Sequence, residues 1–275
     1  MTPPKHPAAF PTPVLAVLRK VVPAGPVLDP FGGVGKLGLL GDAWRVVALD
    51  IERRWVAQAS ENGCVGAAAA DATQLPILDC SVPCVATSPC YGNRMADVYV
   101  PTKAPGAESH RTRRTYRLYL GEELYPGSAG AMQWGEDYRV LHRLAWAEVW
   151  RVLQPGGRLI VNCKDHLRDG VRKEVCAWHW AVLKGMGFKL LSAHDVPVRG
   201  DQNTARHRAQ GLDVPDCEQV AVFSKPSQLL RHVLADLDDK QDRTRRCSEC
   251  RRDFDGEEWQ IMCNDCGDAL GLRSL

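Results

Sequence analysis

Residues 28–36 read Leu28-Asp29-Pro30-Phe31-Gly32-Gly33-Val34-Gly35-Lys36, a glycine-rich turn that follows a short apolar run from Pro26 to Leu28. A strand that runs into a turn lacking Cβ atoms lets a ligand approach backbone amides, and such turns open the first unit of layered α/β sheets. Gly33, Gly35 and Gly38 satisfy G-x-G-x-x-G, with acidic Asp50 at a distance suited to a ribose. A phosphate loop fits poorly, because Pro30 stands where its first glycine belongs and Leu37 where Ser or Thr should follow Lys36. The glycines alone suit a dinucleotide, S-adenosylmethionine or a turn with no ligand.

Outward from this turn, strand and helix patterns alternate. Helical apolar spacing runs from Val14 to Val22, Arg53 to Asn62, Asp137 to Leu153 and Val171 to Gly185. Strands are expected at Trp44–Leu49, Gly66–Ala70, Val82–Ala86, Arg158–Asn162, Phe188–Ala193 and Gln219–Ser224, with Gln154-Pro155-Gly156-Gly157 as a helix stop. Gly92 to Gly135 has no steady period. The alternation predicts a doubly wound, Rossmann-like α/β sheet, mostly parallel, with the last strand antiparallel. Asp29, Asp50 and Asp71 then end three successive strands on one side of the sheet.

The strand Val82–Ala86 leads into Thr87-Ser88-Pro89-Cys90-Tyr91. A polar side chain, a rigid turn and an aromatic ring at a strand's C-terminal edge can hold a flat heterocycle by its face and grip an exocyclic amine in its plane. Together with LDPFGGVGK, this segment resembles the S-adenosylmethionine-dependent amino-methyltransferases of nucleic-acid bases, in particular the compact DNA methyltransferases of phages and of bacteria, where some serve restriction-modification. Their pattern is Ser/Asn/Asp-Pro-Pro-Tyr/Phe, and Cys90 departs from it. The resemblance covers most of residues 5–224.

The resemblance implies roles. Asp29, with Pro30, Phe31, Gly32, Gly33 and Gly35, would face the cofactor's methionine ammonium. Asp50 with Ile51 would take the ribose hydroxyls, Asp71 with Ala72 the adenine amine, and Thr87 would complete the cofactor site. Lys5 to Pro11, with His6, Pro7 and Phe10, resembles the segment that lies beside the glycine turn in this family. An exocyclic amine is a poor nucleophile. Two in-plane acceptors, Ser88 Oγ and the Pro89 carbonyl, would draw it pyramidal while Tyr91 stacks on a flipped base. Serine here leans towards cytosine N4, with adenine N6 the other choice. Pro89-Cys90 also resembles the nucleophile site of cytosine C5 methyltransferases, although the Gln and the Glu-Asn-Val segment of that family are missing. RNA methylation, a non-catalytic nucleic-acid-binding module and a dehydrogenase remain open alternatives.

A net charge of +2 over 275 residues dictates no partner by itself, but the charge is clustered. Lys103, Arg111, Arg113, Arg114 and Arg117 interleave with Tyr116 and Tyr119, and Arg94, Arg199, Arg206 and Arg208 add to a basic surface suited to phosphates of DNA or RNA. No apolar run is long enough to span a membrane. Eleven cysteines, several in apolar surroundings, suit a reducing, cytoplasmic compartment. Four of them, Cys247, Cys250, Cys263 and Cys266, form two CxxC knuckles whose spacing suits structural Zn²⁺. The expected organisation is a methyltransferase domain (1–226), a helical and charged linker (227–246) with a helix at Leu229–Leu237, and a small zinc ribbon (247–275).

Overall fold

Val27 and Leu28 are neighbours in the first strand, yet they feed two different cores. The period of two along a strand turns successive side chains to opposite faces, so an apolar strand needs cover on both sides. This computed structural model describes residues 10–96, 116, 123–198, 202–227, 244–246 and 253–255. The strands are β1 (Gly25–Asp29), β2 (Trp44–Asp50), β3 (Gly66–Ala69), β4 (Val82–Thr87), β5 (Leu153–Cys163), the short pair β6 (His166–Arg168) and β7 (Val171–Lys173), then β8 (Lys189–Pro197) and β9 (Cys217–Ser224). The main sheet has seven strands in the order β3-β2-β1-β4-β5-β9-β8. β1 to β5 pair in parallel, and β9 lies antiparallel between β5 and β8. The predicted antiparallel last strand is therefore inside the sheet, with β8 at its edge.

One face is covered by α1 (Thr12–Val21) and α2 (Arg53–Ala59), through Val14, Leu18 and Ala59 against Val27, Val46 and Ile160. The other is covered by α3 (Glu136–Val152) and α4 (Val175–Gly185), through Trp146, Val149 and Leu183 against Leu28, Val85 and Phe223. Winding reverses between β1 and β4, which are neighbours in the sheet although two strands separate them in the chain. In open α/β sheets the crevice outside this reversal is where ligands bind.

Three expectations change. The helix expected over Val171–Gly185 begins only at Val175, because Val171–Lys173 pairs back on His166–Arg168. Asp169 and Gly170 both have positive φ, 53° and 73°, the signature of a tight Asp-Gly hairpin turn. Strand β5 starts at Leu153, so Gln154 to Gly157 does not stand outside the sheet. Gly156 N–H donates to the Lys225 carbonyl and Lys225 N–H to that of Gly157, which draws the turn into the ladder. The last two strands, expected at Phe188–Ala193 and Gln219–Ser224, run instead over Lys189–Pro197 and Cys217–Ser224, and their connection carries α5 (Gln202–Ala209).

At the far end of the chain, β10 (Thr244–Arg246) and β11 (Asp253–Asp255) pair antiparallel. The expected helix Leu229–Leu237 and the cysteines Cys247, Cys250, Cys263 and Cys266 lie outside the described residues. Among those described there is no metal-ligating cluster, and seven cysteines are free thiols. No described helix is long and apolar enough to cross a membrane.

Gly38, the last glycine of the motif, sits where a Cβ would come 2.2 Å from the Asn62 carbonyl oxygen and 2.7 Å from the Cys64 amide nitrogen. Both are backbone atoms that cannot swing aside. Gly38→Ala is expected to cost about 3 kcal/mol of stability, read as a lower urea midpoint; an unchanged midpoint would contradict this close packing.

Candidate functional site

Asp29 ends β1 and Thr87 ends β4, the two strands that flank the winding reversal. Both side chains are buried, and Thr87 Oγ1 donates to Asp29 Oδ1 at 2.6 Å. The Phe31 amide donates to the same oxygen at 3.2 Å. Phe31 itself stacks on the His142 ring of α3, with centroids 5.3 Å apart. Asp50, at the end of β2, accepts from the Gly33 amide at 2.8 Å and from the Glu52 amide at 2.8 Å. The glycine turn is thus clipped to two carboxyl groups.

A cavity of about 330 Å³ opens over these strand ends, within the range of small-molecule sites. Asp29 through Gly33 form one wall, and Asp50, Ile51, Asp71 and Ala72 continue it. Ser88, Pro89, Cys90 and Tyr91 form the opposite wall, and Phe10 also lines the space. The two motifs singled out in the sequence therefore share one cleft. Thr87 reaches it only through Asp29, and Gly35 shapes the turn from behind. Asp71 is exposed, with Oδ1 taken by the backbone and side chain of Thr73 at 2.8 Å.

Arg94 begins a short 3-10 turn, Arg94–Ala96, but its side chain is outside the description. His6, Pro7, Lys103, Arg111, Arg113, Arg114, Arg117 and Arg199 lie outside the described residues. Tyr116, from the basic stretch, is described and lines the cavity. Arg206 and Arg208 sit on α5 away from the lining, and Arg208 pairs with Asp216 at 3.2 Å.

The electrostatics favour a cation. Among the described lining residues four acids, Asp29, Asp50, Asp71 and Glu218, face one base, Lys36. Burial pushes Asp29 up to about 7 against the bonds from Thr87 and Phe31. Burial likewise lifts Asp50 to about 6, against the amides of Glu52 and Gly33. Two amides of the turn that could have met a pyrophosphate are already spent on carboxylates. A dinucleotide's pyrophosphate would meet negative charge here, whereas an ammonium would restore ionised Asp29. The residues fit the amino-acid end of S-adenosylmethionine in that respect.

Cys90 is a poor nucleophile. Its thiol packs with Val34, Trp55, Tyr116 and Leu124, and burial pushes it up to about 11. Attack on a base ring needs the thiolate, so this environment opposes the covalent C5 reading. Its carbonyl is held from behind. Trp146 Nε1–H donates to His179 Nδ1 at 3.0 Å, which leaves the proton of His179 on Nε2 to donate to Tyr138 Oη at 2.9 Å. The Tyr138 hydroxyl then donates to the Cys90 carbonyl at 2.7 Å. Burial holds His179 well below its ordinary value, so this chain stays neutral.

Sequence reasoning missed the other side of the loop. Asn162, near the end of β5, places Nδ2 2.7 Å from Glu218 Oε2, 3.0 Å from Tyr91 Oη and 3.2 Å from Ser88 Oγ. Ser88 Oγ and Tyr91 Oη are 2.9 Å apart. Glu218, near the start of β9, is buried yet lines the cavity, and burial raises its carboxyl above the ordinary range. A polar residue near a strand's ligand-side end was the available signal, but for Glu218 it required knowing that β9 runs antiparallel. The wall built by Leu124 and Gly127 to Gly130 lay in the stretch without period.

No known family model and no curated protein sequence matches this chain. Its architecture aligns with solved structures at low identity. One is the N-methyltransferase NodS of Bradyrhizobium japonicum, at 12% identity over 78% of this chain and 93% of that one, TM-score 0.43. A SAM-dependent methyltransferase of Aquifex aeolicus aligns at 14% identity over 78% of this chain and 89% of that one, TM-score 0.43. The [4+2]-cyclase SpnF aligns at 13% identity over 78% and 81%, TM-score 0.47. A fold can carry unrelated chemistries, so the chemistry rests on the site.

The raised carboxyls set a pH dependence. Between about pH 4 and pH 7 the folded, ligand-free protein keeps protons that the unfolded chain has released, so these groups lower stability as pH rises. Asp29→Asn keeps an acceptor for Thr87 and Phe31 but cannot ionise. Its stability relative to wild type should grow by a few kcal/mol across that window, measured by urea unfolding; a constant difference would show that Asp29 is not the titrating group.

Proposed function

We propose that this protein transfers a methyl group from S-adenosylmethionine to an exocyclic amine of a base in DNA, with cytosine N4 favoured over adenine N6. One observation carries the reading: a single acidic cleft is lined on one side by Asp29, Asp50 and Asp71 and on the other by Ser88 to Tyr91. Asp29 would hold the donor's ammonium, Asp50 the ribose and Asp71 the adenine amine. When bound, the donor supplies an electrophilic methyl. Ser88 Oγ and the Pro89 carbonyl accept the hydrogens of the amine and orient its lone pair, and Tyr91 bounds the base slot. Proximity and alignment provide most of the rate, as in other transfers between two held reactants.

The nucleic-acid assignment draws on the basic run Lys103–Arg117, whose Tyr116 lines the same cavity, and on Arg94, Arg199, Arg206 and Arg208. Tritiated methyl donor offered with duplex DNA, single-stranded DNA or RNA should label DNA, and nucleoside mass spectrometry should yield N4-methylcytosine or N6-methyladenine. Label in RNA alone would move the substrate to RNA, and label at cytosine C5 would restore the covalent reading. Ser88→Ala should lower kcat roughly 10²-fold with donor binding retained. Donor affinity by calorimetry should rise with pH through about 6 to 7, because the cation prefers ionised Asp29.

The proposal extends to structural zinc on Cys247, Cys250, Cys263 and Cys266. Two CxxC knuckles support it, and β10 and β11 bracket the first of them in the chain. Elemental analysis should find one zinc per chain, lost with a fourfold Cys→Ser variant; metal-free protein at full thiol titre would refute it.

A further inference from the structure

Methylating a neutral amine leaves a proton to be removed. The nitrogen gains a carbon and becomes cationic while the sulfonium becomes a neutral thioether. The nitrogen must then lose one hydrogen as H⁺. In a cleft walled by Pro89, Phe31 and Tyr116, the place that receives it matters.

The hydrogen bonds around Ser88 define such a place. Asn162 Nδ2 has two hydrogens and three oxygen neighbours. The shortest contact, 2.7 Å, is to Glu218 Oε2, so one hydrogen belongs to that carboxylate. The second serves Tyr91 Oη at 3.0 Å or Ser88 Oγ at 3.2 Å. Tyr91 Oη lies 2.9 Å from Ser88 Oγ and 3.4 Å from Glu218 Oε2. With Glu218 ionised, every hydroxyl can point the same way: Ser88 O–H to Tyr91, and Tyr91 O–H to Glu218. Ser88 Oγ then turns a lone pair to the cavity, the polarity that an amine N–H requires.

We propose that Glu218 is the final acceptor of the proton released by the substrate amine, reached through the hydroxyls of Ser88 and Tyr91 and positioned by Asn162. The inference rests on the methyl-transfer reading. As the N–C bond forms and the S–C bond of the sulfonium donor breaks, the amine proton moves to Ser88 Oγ. The serine proton moves to Tyr91 Oη, and the tyrosine proton to Glu218 Oε2. Charge balances: the donor loses its positive charge and Glu218 its negative one. No tyrosinate need form, which suits a phenol that burial holds well above its ordinary value. The 3.4 Å step is the long one, and catalytic hydrogen bonds commonly tighten once the site is loaded. Glu218 lines the cavity, so its proton leaves to water when product departs.

The groups around Glu218 are consistent with one ionisable acceptor. Asn162 and Lys164 face it from β5 and its end, Tyr91 from the loop after β4, and Val196 lies opposite it on β8. Cys163 and Cys176 pack with Tyr91, and Lys164 favours the ionised carboxylate of Glu218.

Glu218→Gln tests the idea because it preserves size and an acceptor for Asn162 but cannot take a proton. With DNA as substrate, wild-type single-turnover rate should rise with pH along a limb set by an acid above the ordinary glutamate range, then level. In the variant that limb should vanish, with the plateau rate about 10²-fold lower, donor affinity unchanged and the solvent deuterium effect lost. Tyr91→Phe, which keeps the ring, should reproduce the loss should Glu218→Gln fold poorly. Infrared difference spectra of the ligand-free protein give a readout without turnover: a carboxyl band absent from Glu218→Gln should titrate high and move in Tyr91→Phe. Wild-type rate and pH profile in a folded Glu218→Gln protein would overturn the relay and leave methyl transfer standing. Wild-type protein that binds donor but methylates no base amine would overturn both.

Discussion

The hydroxyl of Thr87 on the carboxyl of Asp29 is the bond on which the site's layout depends. It joins the ends of β1 and β4 at the point where the sheet reverses its winding, and so ties the glycine turn to the Ser88 loop. Both side chains are buried, and the Thr87 hydroxyl, which does not line the cavity, would lose its carboxyl partner if Asp29 were replaced. A buried hydrogen bond to a carboxyl is worth little in net terms while made and costs the desolvation of both groups when broken. The two walls of the cavity are held in register for this reason. The strand ladder alone would allow them more freedom, because β1 and β4 share only the pair Leu28↔Val85.

The same carboxyl explains the character of the cleft. Asp29 and Asp50 are taken out of water without a cationic partner, and each is compensated only by hydrogen bonds from backbone or hydroxyl donors. Such an arrangement stores unfavourable free energy in the ligand-free state and releases it to a cation of the right shape. Lys36, the base among the described lining residues, bonds to Asn62 at 3.2 Å, so its charge is turned toward the 3-10 segment around Asn62. The clip of Gly33 onto Asp50 meanwhile removes a donor that an anionic ligand would need.

Much of this was legible in the chain because it follows from local rules. Strand periodicity placed the ends of β1, β2 and β4, and the acids Asp29, Asp50 and Asp71 fell on one edge as a consequence. Failures had equally local causes. The hairpin at Asp169-Gly170 was written in an Asp-Gly turn, but the apolar spacing of Val171 to Gly185 masked it. The path of β5 through Gly156 and Gly157 depends on bonds to Lys225, roughly 70 residues away, and no window of sequence contains that partner. Glu218 and Asn162 were invisible for the same reason: they meet across an antiparallel pairing, and only that pairing turns two scattered polar residues into one network. The lining from Leu124 to Gly130 has no periodic signature because it is turn and 3-10 backbone.

The Trp146–His179–Tyr138 chain behind Cys90 has a fixed donor order, since an indole N–H can only give and a peptide oxygen can only take. Acidity or alkalinity in the surroundings cannot reverse it. The front of the same five-residue loop is built from hydroxyls that can turn round. One short peptide therefore has a rigid spine and a pliable face, and drift in the identity of residue 90 leaves its main-chain anchor untouched. That separation gives a physical reason why a thiol can stand at residue 90: its side chain packs in an apolar pocket, while the loop is held by its carbonyl.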